Sequence, residues 1–303
     1  MADLPGPILI TGARGMLGRD LVDVLADREP GLHLIAVDYA ELDITREEDV
    51  RKAVADSRAA AIVNCAACTD VDGCERQRDL AFSVNALGPE LLARAAAEQR
   101  ALLVHISTDF VFDGAKGSPY TEEDVPHPLN VYGESKLAGE EAVRRFAGEH
   151  LIVRTAWLYG RHRGNFTETI LTLAESGKEL RVVTDQRGSP TWTAALAEAI
   201  VALMRAGARG TYHAAGRGEC SRYEWAAEIL RLAGARVPSR EGWAPDAGRE
   251  VSLLPATTAD FPRPARRPPY SALATEKLSR DTGFRFPPWQ QSLAEYLRSR
   301  QAG

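Results

Sequence analysis

The sequence predicts an α/β fold: a doubly wound parallel sheet in residues 1–155, followed by a smaller, less regular C-terminal α/β unit in residues 156–303. Three observations predict it. Short apolar runs alternate with amphipathic stretches through the first half, as strands and crossover helices of a parallel sheet do. The run at 7–11 leads directly into a glycine-rich turn and then a helical pattern. The segments of the first half richest in reactive side chains all fall where a predicted strand ends, which is where open sheets of this kind bind their ligands.

Taken in order, Pro7-Ile8-Leu9-Ile10-Thr11 is a continuous apolar run, as expected of a strand buried on both faces. Gly12-Ala13-Arg14-Gly15-Met16-Leu17-Gly18 follows, with glycines at every third position, and Arg19 to Leu25 continues as a helix. Such glycines permit a tight turn, close approach of the backbone to a pyrophosphate, and close packing of the helix. The helix N-terminus adds free N–H groups and the positive end of the dipole. Gly12, Arg14, Gly15, Met16, Leu17 and Gly18 are therefore candidate dinucleotide contacts. Further strands are predicted at 32–37, 59–64, 101–106 and 151–154, with helices at 46–56, 89–99 and 132–148. In the second half, helices are predicted at 165–176, 193–204, 221–233 and 288–299, with some segments returning to the first-half core. Residues 237–270, rich in Pro, Gly and Arg, read as a partly ordered loop over the ligand.

The run Asn130-Val131-Tyr132-Gly133-Glu134-Ser135-Lys136 places a phenol and an ammonium four residues apart at the start of a helix, on one face. An ammonium close to a phenol favours the phenolate, which lowers the tyrosine pKa and lets Tyr132 exchange a proton near neutral pH. Carbonyl reduction needs that exchange. Taken singly, Tyr132 reads as an aromatic anchor and Lys136 as a solvated charge; beside the glycine turn, the catalytic reading prevails. Asp38 closes the second strand, where a carboxylate accepts the adenosine ribose hydroxyls and repels a 2′-phosphate, favouring NADH. Arg14 argues for NADPH, since guanidinium and phosphate match geometrically. Use of both cofactors is the expectation.

These motifs have company. Asn64-Cys65-Ala66-Ala67, His105-Ile106-Ser107-Thr108-Asp109-Phe110-Val111-Phe112, Arg154-Thr155-Ala156-Trp157-Leu158-Tyr159-Gly160, Asp185-Gln186-Arg187-Gly188-Ser189-Pro190-Thr191 and Pro264-Ala265-Arg266-Arg267-Pro268 stand in order along the chain. Together the set resembles the extended short-chain dehydrogenase/reductase family, and within it the dTDP-4-dehydrorhamnose reductases, over nearly the whole length. The resemblance implies a Rossmann-type nucleotide-binding domain with a substrate-binding domain, NADPH or NADH as cofactor, and a dTDP-linked 4-keto-6-deoxyhexose as substrate. It implies that Tyr132 donates a proton to the ketone, that Lys136 steadies the phenolate and bonds the nicotinamide ribose, and that Thr108 or its neighbour Ser107 polarises the carbonyl. By the same resemblance Asp43 and Ile44 border the adenine, although Asp43 reads equally well as a helix cap. Ala66, Ala67, Cys68 and Thr69 would line the cleft, Trp157 and Asp109 would meet the sugar, and Arg267 would clamp the diphosphate. Arg266 and Arg267 also fit a reading as solvated surface charges. Three alternatives share these motifs: a reductase of another 4-keto-6-deoxyhexose, a nucleotide-sugar epimerase, and a non-catalytic NADP-binding subunit resembling the methionine adenosyltransferase beta subunit.

A net charge of −5 provides no broad basic field for nucleic acid or an anionic membrane, and a hydrophobic fraction of 45% is ample for a packed core. The sequence shows neither a signal peptide nor an apolar run of about eighteen residues, so a cytoplasmic location is expected. Cys65, Cys68 and Cys74 include a CxxC spacing but lack a close fourth ligand, so no metal site and no disulfide is expected. Some members of the family form homodimers, and a homodimer is compatible with this chain.

Overall fold

Four consecutive buried residues form β1 (Ile8–Thr11), and their alternation sends Ile8 and Ile10 into one core and Leu9 into another. A strand covered on both faces must be apolar throughout, which explains the uninterrupted run. The computed structural model describes residue 4, residues 6–235 and residues 250–301. After β1 come α1 (Met16–Arg28), β2 (Leu34–Val37), α2 (Glu47–Ser57), β3 (Ala61–Asn64), the short α3 (Val71–Arg76) and α4 (Arg78–Phe82), a π-helical turn (Ser83–Leu87), α5 (Gly88–Gln99), β4 (Leu102–Thr108), α6 (Val131–Phe146) and β5 (Glu149–Thr155). The predicted strands and helices of this half are all present, with ends shifted by a few residues.

The second part of the chain runs through β6 (Leu158–Tyr159), α7 (Phe166–Glu175), β7 (Leu180–Val183), β8 (Arg187–Gly188), β9 (Thr191–Trp192), α8 (Thr193–Arg205), β10 (Gly210–His213), β11 (Cys220–Ser221), α9 (Arg222–Leu232), β12 (Leu253–Ala256), α10 (Glu276–Thr282) and α11 (Trp289–Gln301). The main sheet has six strands in the order β10-β5-β4-β3-β1-β2, all paired in parallel. Winding reverses on either side of β1, so the switch-point crevice opens at the carboxyl ends of β1 and β3. Register aligns Thr11 with Asn64 and Asn64 with His105, which sets three polar residues in a row beneath that crevice.

One core lies between the sheet and α1 with α8, where Leu17, Leu21 and Leu25 share a cluster with Leu196, Ile200 and Leu203. The opposite face is covered by α2, α5 and α6. A third cluster, around the fully buried Trp225, joins α7, α9 and α11. The reading of 237–270 as loop needs correction. Residues 237–249 lie outside the described residues, but Leu253–Ala256 pairs in parallel with Leu180–Val183. Leu253 and Ala256 are buried while Leu254 and Pro255 face out, and proline is tolerated there because the ladder has only two strands.

Candidate active site

The glycine turn is built so that no side chain intrudes. Gly12 has φ +66°, and a Cβ there would lie 2.6 Å from the amide nitrogen of Ala66. A Cβ on Gly18 would lie 2.3 Å from the carbonyl oxygen of Gly12, so α1 packs against the turn only with glycine at that position. Gly15 is the N-cap of α1 and offers no side-chain acceptor, so the first amides of the helix have no side-chain cap. Met16, Leu17 and Gly18 line a cavity of about 790 Å³ at this point. Uncapped amides at a helix N-terminus fit a pyrophosphate, and the residues present match a dinucleotide. Gly18→Val should force turn and helix apart and weaken NADPH binding by about tenfold or more, about 1.4 kcal/mol. Fluorescence titration measures this, with a thermal melt to show that the variant is folded; unchanged affinity would refute the assignment.

Beside the turn, the Asp38 carboxylate accepts from the backbone N–H of Arg14 and of Tyr39, each at 2.8 Å. The Arg14 guanidinium pairs with Glu41. Asp43 accepts from the amide of Thr45 at 3.0 Å and from its hydroxyl at 2.7 Å, and Ile44 is buried in the second core. Ala67 and Thr69 line the cavity; Ala66 lies under Gly12 and donates its N–H to Asn64. Cys68 turns instead toward Cys74, with the sulfurs 3.7 Å apart. Among the described residues, Cys65, Cys68 and Cys74 do not converge as a metal-ligand set.

Helix α6 begins at Asn130, whose side chain accepts from the amide of Gly133 at 2.8 Å and so fixes the first turn that carries Tyr132. Tyr132, Lys136, Thr108 and Asp109 all line the same cavity as the glycine turn. The expected lowering of the Tyr132 pKa is overturned. Burial pushes the phenol well above its usual range, and a hydrogen bond with Thr108 only partly opposes this. Spacing along a helix brings the two residues onto one face but not their end groups together. The Lys136 Nζ donates to the carbonyl of Ile106 at 2.6 Å and lies 3.4 Å from Nε2 of His105. Burial brings Lys136 down to about 8. Ser107, the alternative to Thr108, donates to Glu140 at 2.6 Å, which leaves the Thr108 hydroxyl as the one beside Tyr132.

On the other wall, Trp157 adopts φ +47° and stacks on Trp225 with ring centroids 5.7 Å apart. Arg222 lies over the Trp157 ring at 3.6 Å, and burial brings its guanidinium down to about 10. Asp109 is 2% exposed, one of its oxygens has no hydrogen-bond partner, and burial raises its pKa to about 6. An adjoining cavity of about 950 Å³ shares Phe166 and Arg222 with the first and is lined by Arg181, Arg263, Arg266 and Arg267. Arg267 is forked onto Asp72, at 3.0 and 2.8 Å, and that hydrogen bonding holds the Asp72 carboxyl at about 2. The fork ties the C-terminal loop to α3 and presents Arg267 at the border of this second cavity.

Arg222 and Asn85 were not predicted from sequence. Asn85 sits in the π-helical turn, exchanges hydrogen bonds with the backbone of Cys68 at 2.8 and 3.0 Å, and donates to Ser135 at 3.0 Å, one turn from the catalytic pair. A Ser-x-x-Glu capping pattern at Ser221 and Glu224 marks the helix that carries Arg222, but local sequence does not give the direction of its side chain.

Residues 6–302 match the family model described as the RmlD substrate binding domain. A dTDP-4-dehydrorhamnose reductase of Mycobacterium tuberculosis (strain H37Rv) is 41% identical over 305 residues, covering 98% of this chain and 94% of the relative. The crystal structure of such a reductase from Clostridium acetobutylicum superposes with a TM-score of 0.90 at 42% identity, over 97% of this chain and 99% of that one. That of the Bacillus anthracis reductase, in complex with NADP, gives 0.89 at 37% identity, over 96% and 98%.

Proposed function

Because this chain belongs to the dTDP-4-dehydrorhamnose reductase family, we propose that it reduces the 4-keto group of dTDP-4-dehydro-L-rhamnose to dTDP-L-rhamnose with NADPH or NADH. One observation carries the reading. Thr108, Tyr132 and Lys136 stand on one wall of a cavity whose floor is the uncapped N-terminus of α1. The reduced nicotinamide, when bound, supplies the hydride that the ketone carbon accepts.

The protein's own residues handle the proton. A phenol whose pKa is raised by burial is fully protonated at neutral pH, the form required of a general acid. Tyr132 gives its proton to the ketone oxygen as the carbon gains the hydride, and the product is the neutral alcohol. Thr108 donates a hydrogen bond to the same oxygen and stabilises the charge that develops on it. The Lys136 ammonium lowers the cost of the phenolate left behind and holds the nicotinamide ribose. The apolar face of Trp157 and the polar Asp109 receive the hexose, while the arginines of the adjoining cavity fit the diphosphate of the nucleotide.

Oxidation of NADPH and NADH, followed in parallel on addition of dTDP-4-dehydro-L-rhamnose, tests this. Rapid oxidation of either cofactor is the expected result, and the ratio of the two rates gives the preference between Asp38 and Arg14. Cofactor binding without oxidation would overturn the reading in favour of another ketosugar or a non-catalytic role. Among the described residues no helix is long and apolar enough to cross a membrane.

A further inference from the structure

Beneath the crevice, four polar residues form one hydrogen-bonded row. The Thr11 hydroxyl donates to Oδ1 of Asn64 at 2.8 Å, Nδ2 of Asn64 lies 3.2 Å from Nδ1 of His105, and Nε2 of His105 lies 3.4 Å from Nζ of Lys136. All four are buried. The direction of the row follows from its fixed end. The backbone N–H of Ala66 donates to Oδ1 of Asn64 at 3.1 Å, and a backbone N–H can only donate. Oδ1 is therefore the acceptor there, and Nδ2 points at the histidine as a donor. Nδ1 of His105 must accept, so the proton of the neutral ring sits on Nε2, facing Lys136.

That arrangement has one proton too many if Lys136 is an ammonium. An ammonium has three donors and no acceptor, so Nε2–H and Nζ–H would oppose each other. A neutral amine resolves the conflict, donating to the Ile106 carbonyl and accepting from His105. The other tautomer moves the clash to Asn64. Protonating His105 is disfavoured, since burial first, then Lys136 and Arg144, push its pKa well below the usual value.

We propose that His105 is a positioning residue which, held as the Nε2–H tautomer by Asn64, controls whether Lys136 carries its proton in the pH range where the enzyme works. The remaining groups around Lys136 leave this control to His105. Tyr132 and Glu140 face it from α6, and Cys65 from the end of β3. Cys65 is a neutral thiol, raised by burial to about 12. The Glu140 carboxylate favours the ammonium but is already bonded to Arg154, Arg144 and Ser107. The Ile106 carbonyl accepts equally well from amine or ammonium.

The test follows the ¹³Cε resonance of Lys136 through a pH titration of lysine-labelled protein, together with two-bond ¹H–¹⁵N spectra of histidine-labelled protein. Wild-type Lys136 is expected to titrate near pH 8, with His105 neutral and protonated on Nε2 across about pH 5–8, where an ordinary histidine changes charge. In His105→Gln, the amide oxygen can turn toward the ammonium, and the Lys136 midpoint should rise by about one pH unit. The alkaline limb of kcat/KM should rise with it, an expectation that rests on the proposed reductase activity; the two NMR titrations do not depend on turnover. A proton on Nδ1, an imidazolium in that range, or an unshifted Lys136 in a folded His105→Gln protein would overturn the proposal. Should that variant fail to fold, the wild-type tautomer and Lys136 midpoint still decide it.

Discussion

Tyr132→Phe is expected to lower kcat for NADPH-dependent ketosugar reduction by about 10²–10⁴-fold, the usual worth of a positioned general acid, while dinucleotide affinity stays nearly unchanged. The substitution removes one oxygen. The ring keeps its edge contact with Phe110, centroids 5.6 Å apart, and its packing beside Cys74, Ala81 and Val131. The glycine turn that holds the pyrophosphate does not depend on the phenol. What is lost is the one proton source beside Thr108, so the developing alkoxide must be protonated by water. Steady-state oxidation of NADPH, with a fluorescence titration of the same preparation, separates the two effects. Retained turnover would remove Tyr132 from the reaction; lost binding would make it a scaffold residue.

Glu140→Ala is expected to cost about 3–5 kcal/mol of stability, the penalty for stranding a buried partner charge. Glu140 is 0% exposed and accepts from Arg154 at 2.8 and 2.7 Å, from Arg144 at 2.6 Å and from Ser107 at 2.6 Å. Arg154 is itself 2% exposed, and its Nη1 already lacks a partner, so the alanine variant would leave a guanidinium in the core with nothing to balance it. The melting temperature at neutral pH should fall by about 10 °C. Acid should produce a related effect in the unmodified protein. Burial pulls the Glu140 pKa upward, but the bonds to Arg154, Ser107 and Arg144 outweigh it and leave the carboxyl below its usual 4.5. A depressed carboxylate stabilises the fold above that usual value and loses its contribution as the pH drops through the folded-state pKa. Melting curves recorded at pH 7 and below pH 4.5 check both statements. Equal melting temperatures for variant and parent at pH 7 would show that the ion pair contributes nothing.

How far the sequence foretold this site depended on how local each cause was. The glycine turn, the buried strands and the start of α6 follow from residues within a turn of one another, and each was legible. The direction of the Tyr132 shift was not. Helical spacing states which residues share a face, while Lys136 extends to a carbonyl on a neighbouring strand and Tyr132 is desolvated by packing. Arg222 was missed for the same reason: its neighbour Trp157 is 65 positions earlier, held at a positive φ that no local pattern signals for tryptophan. His105 reads as one polar residue in an apolar strand until register sets it beside Asn64. The strand at Leu253–Ala256 was hidden by a proline and by a partner more than 70 residues away.

The return of α8 and β10 to the sheet bears on how the polypeptide can be divided. A fragment ending at residue 155 would leave β5 as an open edge, because β10 pairs along it, and would bare Leu17, Leu21 and Leu25 on α1, because α8 covers them. Such edges and patches invite aggregation. The nucleotide-binding half is thus a dependent half, completed only when ribosomal synthesis has passed residue 213, and split-protein reporters or domain exchanges placed at the midpoint of the chain would separate a single folding unit.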